Sequence, residues 1–221
     1  MRLEIGILAC ASIAILSGQQ QIKRMDNATE VFTEIMATPD KSIPQDLLEK
    51  AQCIVIIPDL KKGAFLFGAK YGKGYLFCRR ETGVGWGPPG TVRVEGGSFG
   101  LQAGGSATDV VLLVMNKRGM ERLLSSKFTI GGDVSGAAGP VGRTMSAQTD
   151  ALMSAEILSW SRSRGAFAGV SLEGATLRQD LDGNNELYSK AYTNRQIMTS
   201  GLECPSAAKL VGLLNKYSGR K

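Results

Sequence analysis

A single α+β domain is predicted by three observations: helical periodicity at the two ends of the chain, a succession of short β-rich segments between them, and 28 glycines in 221 residues, nearly twice the ordinary share. The predicted architecture is one curved or barrel-like, mainly antiparallel sheet flanked by short N-terminal and C-terminal helices. A content of 43% hydrophobic and 21% charged residues supports a packed core, and the length suits one domain with no linker dividing it.

Residues 1–18 read as a leader. Arg2 precedes an apolar run over 5–16, followed by Ser17-Gly18 and the polar Gln19-Gln20-Gln21, the layout of a cleavable secretory signal. Cleavage near Gln19 leaves 19–221 as the domain and places it outside the cytoplasm, in the periplasm or on the outer surface. Cys10, after Ile7-Leu8-Ala9, offers lipidation as the alternative. Asn27-Ala28-Thr29-Glu30 has the form of a capping box, and Ala28, Val31, Phe32, Ile35 and Met36 follow at helical spacing, so a short helix is predicted there, ended by Pro39. A second helix starts at Ser42-Ile43-Pro44-Gln45 and carries Leu47, Leu48 and Ala51.

From Cys53 the period changes. Strands are predicted over 53–57, 64–71 and 74–79, joined by turns at 58–59, 61–63 and 71–74 as successive hairpins. Export permits disulfides. Cys53 opens one of these runs and Cys78 closes another, so a Cys53–Cys78 bond is predicted, with buried free thiols as the alternative and Cys204 unpaired. Further strands are predicted over 91–95, 98–102, 109–115, 128–130, 156–160 and 166–172. Helices are predicted over 119–125, 184–191 and 206–217.

The absence of histidine excludes a Ser-His-Asp or Cys-His unit and any His-ligated metal site. The other chemical motifs fail on context. Gly96-Gly-Ser98-Phe-Gly100 fits a nucleophile elbow but has no base and precedes strand-like sequence. Ser206-Ala-Ala-Lys209 sits in a helical stretch without partner motifs. Residues 68–74 lack the spacing of a phosphate loop and read as a hairpin turn with exposed lysines. Asp180-Leu-Asp-Gly183-Asn184-Asn-Glu186 has its glycine at the wrong offset for calcium. No catalytic residue, cofactor or metal is predicted. The net charge of +6 falls in short clusters, Lys23-Arg24, Lys61-Lys62, Lys70, Lys73, Arg79-Arg80 and Arg220-Lys221, with no aromatic-basic interleave of the kind that binds nucleic acid. An anionic membrane surface is the better match.

Taken in order, residues 62–74, Gly85-Trp86-Gly87-Pro88, Glu95-Gly-Gly-Ser-Phe-Gly-Leu-Gln102, residues 109–116, Gly139-Pro-Val-Gly-Arg143, residues 159–165 and Phe167-Ala-Gly-Val-Ser-Leu-Glu-Gly174 resemble the SYLF domain family, over about residues 23–192. Trp86-Gly-Pro-Pro-Gly90 departs from that family's usual form. The resemblance implies a lipid-binding module without catalysis. The family's eukaryotic members bind phosphoinositides and regulate actin patches and endocytosis, and its bacterial members are small exported proteins. In this chain the expected headgroup contacts are Lys23, Arg24, Lys61, Lys62, Lys70 and Lys73, with Phe32, Ile35 and Met36 entering the acyl boundary. The competing expectation packs that helix on the sheet and makes the protein an envelope interaction or structural module, with a protein partner in place of anionic phospholipid.

Overall fold

Two long paired strands organise the molecule: β1 (Cys53–Phe65) and β2 (Phe67–Cys78) run antiparallel from Cys53 opposite Cys78 to Phe65 opposite Phe67. The structure is a computed structural model that describes residues 3–38, 42–65, 67–98, 104–125, 127–130, 136–138, 155–163, 166–167, 172 and 174–219. The sequence expectations at 99–102, 131–132, 139–143, 168–171 and 220–221 lie outside the described residues.

Around this hairpin the sheet adds β3 (Gly90–Ser98), β4 (Gly104–Val114), β5 (Lys127–Thr129), β6 (Gly136–Ala138), β7 (Ile157–Ser163), β8 (Ala166–Phe167) and β9 (Thr176–Gln179). Their order is β5-β9-β3-β2-β1-β4-β7-β6, with β8 also on β7, and every pairing is antiparallel except β6 with β7. The expected α+β domain with a mainly antiparallel sheet between terminal helices is what the structure shows; among the described residues the end strands do not pair with each other, so the sheet is open and not closed into a barrel. The helices are α1 (Leu3–Ala37), α2 (Gln45–Lys50), α3 (Lys117–Leu123), α4 (Leu181–Tyr188), α5 (Asn194–Thr199) and α6 (Ala208–Tyr217), the last entered through a 3-10 turn at Pro205–Ala207.

Two local expectations are overturned. The helix predicted from Asn27 is the later part of α1, which is 35 residues long and not short. Asn27 is exposed in mid-helix, and the Thr29 hydroxyl donates backward to the Met25 carbonyl at 2.8 Å, so the capping-box pattern caps nothing. The turns predicted at 61–63 and 71–74 lie inside β1 and β2. The glycines there answer to crowding. A Cβ on Gly72 would come within 2.9 Å of Leu60 Cδ1, and one on Gly74 would collide with the Ile56 carbonyl oxygen.

That crowding marks a bulge. Ile56 pairs with Tyr75 and Lys61 with Tyr71, five residues along β1 against four along β2, and the pairing with β4 shifts between Ile57 and Leu60 in the same way. The extra residue reverses the in-out alternation beyond it. Ile54 and Ile56 face α1, Val55 and Ile57 face the other side, and after the bulge Leu60 joins the latter while Lys61 comes up on the α1 face.

The core accordingly has two layers. On one face Met25, Ala28, Phe32 and Ile35 of α1 pack with Ile54, Ile56, Tyr75, Phe77, Val111, Leu113 and Trp160, together with Leu210 and Leu214 of α6. On the other, Val55, Ile57, Leu60, Leu76, Val92, Val94, Val110, Leu112 and Leu177 pack with Leu123 of α3. Each large side chain so buried contributes about 1.5–3 kcal/mol. The C-terminus is tied in by polar contacts: Trp86 Nε1 donates to Ser218 Oγ at 2.8 Å, and the Arg79 guanidinium lies 4.1 Å over the Trp86 ring. A disulfide joins Cys53 to Cys78, whose Cα atoms are 4.0 Å apart as direct cross-strand partners, and Cys204 is a free, partly buried thiol.

Candidate anion-binding cleft

On α1, Gln20, Lys23, Arg24 and Asn27 fall at i, i+3, i+4 and i+7 and therefore share one stripe of the helix. This stripe forms one wall of an open cleft of about 450 Å³. The opposite wall is Pro58, Asp59 and Lys61 from the bulge, with Tyr71, Gly72 and Lys73 from β2. Three separate stretches of sequence thus bring Lys23, Arg24, Lys61 and Lys73 to one concavity. Lys23 and Lys61 are exposed, and neither pairs with a carboxylate among the described residues. Tyr71, 48% exposed, stands at the same wall as an uncovered aromatic ring.

The cations are positioned by buried polar groups. Gln21 is 2% exposed, and its Oε1 accepts from Arg24 Nη1 at 3.1 Å while its Nε2 donates to Glu186 Oε2 at 2.6 Å. The Tyr75 hydroxyl lies 2.7 Å from the same Oε1 and 2.9 Å from the Gln21 carbonyl oxygen. Burial pushes the Tyr75 phenol well above its ordinary range, so it stays a neutral hydrogen-bonding group. Lys73 Nζ lies 2.7 Å from Oδ2 of Asp180, whose side chain is only 1% exposed. The stretch that resembles a calcium loop instead enters α4 directly after this ion-paired Asp180.

The bulge wall is braced from behind. Asp59 has φ 58°, in the left-handed region where aspartate is among the better tolerated residues, and its backbone N–H donates to Asp109 Oδ1 at 3.0 Å. Arg162 Nη2 donates to Asp109 Oδ2 at 2.8 Å, and Nη1 pairs with Glu34 of α1. Burial raises the Asp109 carboxyl above the usual range; the Asp59 N–H opposes that shift, and the Asp59 and Glu30 carboxylates add to it.

The remaining residues predicted for the site are placed elsewhere. Lys62 stands directly opposite Lys70 on the reverse side of the hairpin from Lys61, and burial followed by the Lys70 charge lowers its pKa. Phe32 and Ile35 are wholly buried in the core, Phe32 edge-on to Tyr217 with ring centroids 6.0 Å apart, and Met36 packs against the same cluster. In this fold Phe32 and Ile35 have no surface with which to meet a lipid, which corrects the expectation of insertion through them. Sequence reasoning missed Tyr71, Asp59 and the Gln21–Tyr75 pair. The α1 stripe was legible only to a reading that carried the helix through residues 20–27.

The chain is similar to known proteins over most of its length. A family model described as "Ysc84: Las17-binding protein actin regulator" matches residues 95–217. An SH3 domain-containing protein of Schizosaccharomyces pombe is 36% identical over 169 residues, which are 75% of this chain and 39% of that protein. The human SH3 domain-containing YSC84-like protein 1 is 30% identical over 204 residues, 90% of this chain and 59% of its own length. Protein YSC84 of Saccharomyces cerevisiae is 31% identical over 172 residues, 76% and 36% respectively. The chain spans between about a third and three-fifths of these relatives.

Proposed function

This chain belongs to the Ysc84/SYLF family, and from that premise we propose that it is a non-catalytic lipid-binding module that associates with anionic phospholipid or phosphoinositide headgroups at a membrane surface. The observation that supports this reading is the convergence of Lys23, Arg24, Lys61 and Lys73 on one open cleft beside the exposed Tyr71. Each basic side chain near an anionic surface contributes about 1 kcal/mol, and the aromatic ring suits the headgroup level. Asp59 in the lining and Asp180 behind Lys73 oppose four cations, so a headgroup meets a net positive lining. We place the protein outside the cytoplasm, with residues 1–18 as a leader, a location that suits the Cys53–Cys78 disulfide. Removal of that segment leaves Gln20, Lys23, Arg24 and Asn27 in place. Intact-mass measurement of the exported protein checks the processing.

Co-sedimentation with vesicles tests the binding. Phosphatidylcholine vesicles containing phosphatidylserine should bind the protein, pure phosphatidylcholine should not, and binding should weaken as salt shortens the screening length. Lys61→Glu should lower affinity about thirtyfold, the factor that corresponds to reversing one such charge. Equal binding to neutral vesicles, or an unchanged affinity in Lys61→Glu, overturns the cleft as a headgroup site. A second reading, a protein-interaction module, draws on the family description, which names a Las17-binding protein; it gains ground if vesicle binding fails.

A further inference from the structure

A row of four cations crosses the sheet from the cleft to its edge. Lys73 of β2 stands directly opposite Arg93 of β3, Arg93 opposite Arg178 of β9, and Arg178 opposite Lys127 of β5. Directly paired residues project from the same side, and at about 4.8 Å per strand the row is roughly 14 Å long. It lies on the face that carries α1: Lys73 and Tyr75 alternate with the glycines that crowd Leu60 and the Ile56 backbone, and Leu177, next to Arg178, points into the opposite core. The three inner side chains are 29%, 34% and 40% exposed, and Lys127 is exposed.

Like charges placed directly across strands repel, and the chain only half neutralises them. Asp180 serves Lys73. Glu95 alone serves both arginines, with Oε1 3.0 Å from Arg93 Nε and Oε2 3.4 Å from Arg178 Nε. These two Nε atoms are buried, and the carboxylate meets them too far off line to count as a hydrogen-bond partner. Glu95 bridging two guanidinium groups is the chain's own carboxylate doing what an external anion would do. Row and cleft share Lys73, and together they set seven cations, Lys23, Arg24, Lys61 and the row, against Asp59, Glu95 and Asp180. The net charge of the whole chain is +6.

We infer that the row is a second anion subsite continuous with the cleft, so that the part of this face left open beside α1 meets an anionic bilayer and engages several headgroups at once. This rests on the lipid-binding reading and extends it from one headgroup to a multivalent surface. A bilayer supplies anions across the whole length of the row and cleft, which a single small anion cannot do.

The test compares the full chain with Lys127→Gln, Lys117→Gln and Lys61→Glu on phosphatidylcholine vesicles at two phosphatidylserine fractions, with folding checked by circular dichroism. Lys127 sits on an outer strand, and Lys117 opens α3 on the opposite face of the sheet. Lys127→Gln should weaken binding about fivefold and flatten its dependence on anionic lipid fraction, while Lys117→Gln binds as the parent does. If Lys127→Gln binds normally while Lys61→Glu fails, the cleft acts alone and the row inference is overturned with the headgroup reading intact. Equal losses in Lys127→Gln and Lys117→Gln assign the effect to net charge and overturn it too. Failure of the parent chain on vesicles, with binding to soluble polyglutamate, removes both readings and assigns the face to an acidic protein.

Discussion

The root and the middle of the β1–β2 hairpin are made from the same two strands and do opposite things. At the root, Cys53, Ile54, Val55, Ile56 and Ile57 face Tyr75, Leu76, Phe77 and Cys78 with both sides of the sheet covered, and all are buried. Past the bulge the α1 face presents Lys61, Tyr71 and Lys73 to solvent, while Leu60 remains in the opposite core. One extra residue accounts for the change: without it Lys61 would fall in register with Val55 and Ile57 and be driven into an apolar layer. The cationic wall is therefore a product of backbone geometry as much as of residue type, and the buried root holds that geometry in place.

If root and middle are separable in this way, damage to the root should cost stability and leave affinity alone. Phe32→Ala should destabilise by about 3–5 kcal/mol in chemical denaturation, with vesicle affinity unchanged at temperatures where the variant is folded. A folded variant that loses affinity would show that the division is wrong.

A smaller effect sharpens the boundary between the two regions, where Tyr75 and Gln21 meet. Burial raises the Tyr75 and Tyr188 phenols, so the folded state keeps protons that the unfolded chain releases near its ordinary pKa of about 10. A raised acid stabilises the fold fully below the unfolded value and loses that contribution as pH climbs from there towards the raised folded value; stability should accordingly fall from about pH 10 upward. Tyr75→Phe should cost about 1 kcal/mol at neutral pH through the lost hydrogen bond and make the alkaline decline shallower, as read from denaturation midpoints across pH. An alkaline slope identical to the parent's would mean that Tyr75 is not a linked group.

The smallest change concerns the bulge itself. Asp59→Asn keeps a residue that tolerates φ 58° and removes the carboxylate from the cleft. Stability should stay within about 0.5 kcal/mol, and affinity for anionic vesicles should rise about fivefold. A fall in affinity would make Asp59 part of the recognition.

The sequence carried the fold in the places where local pattern and tertiary role agree. Alternation and apolar runs located β3, β5 and β7 to within a few residues, whereas β1 runs eight residues past its predicted end and β4 begins five before its predicted start; the helical spacing at 206–217 matches α6 with its entering turn. Reading failed where one pattern had two physical causes. Asn27-Ala-Thr-Glu30 is compatible with a cap or with helix interior, and only the chain before it decides. The glycines at 72 and 74 look like a turn because turns and close backbone approaches both require a missing Cβ. β9 and α5 were missed because a four-residue strand and a six-residue helix carry too few residues for a period to register. At the site, individual lysines were visible, but their sorting was not: strand alternation sends Lys61 and Lys62 to opposite sides, and the bulge decides that Lys61 is the one on the α1 face. The cation row joins positions 73, 93, 178 and 127, and no local pattern links those four.

The first and last helices of the chain contribute to one core, Phe32 against Tyr217 and Ala28 and Ile35 in the same cluster as Leu210 and Leu214. That arrangement has a consequence in time. The ends must meet across nearly the whole chain, a contact whose loop-closure entropy is settled before any stabilisation returns. Until α6 has been made, Trp86 lacks its Ser218 acceptor and the α1 side of the sheet lacks part of its cover. The molecule therefore completes folding only after its last helix is available.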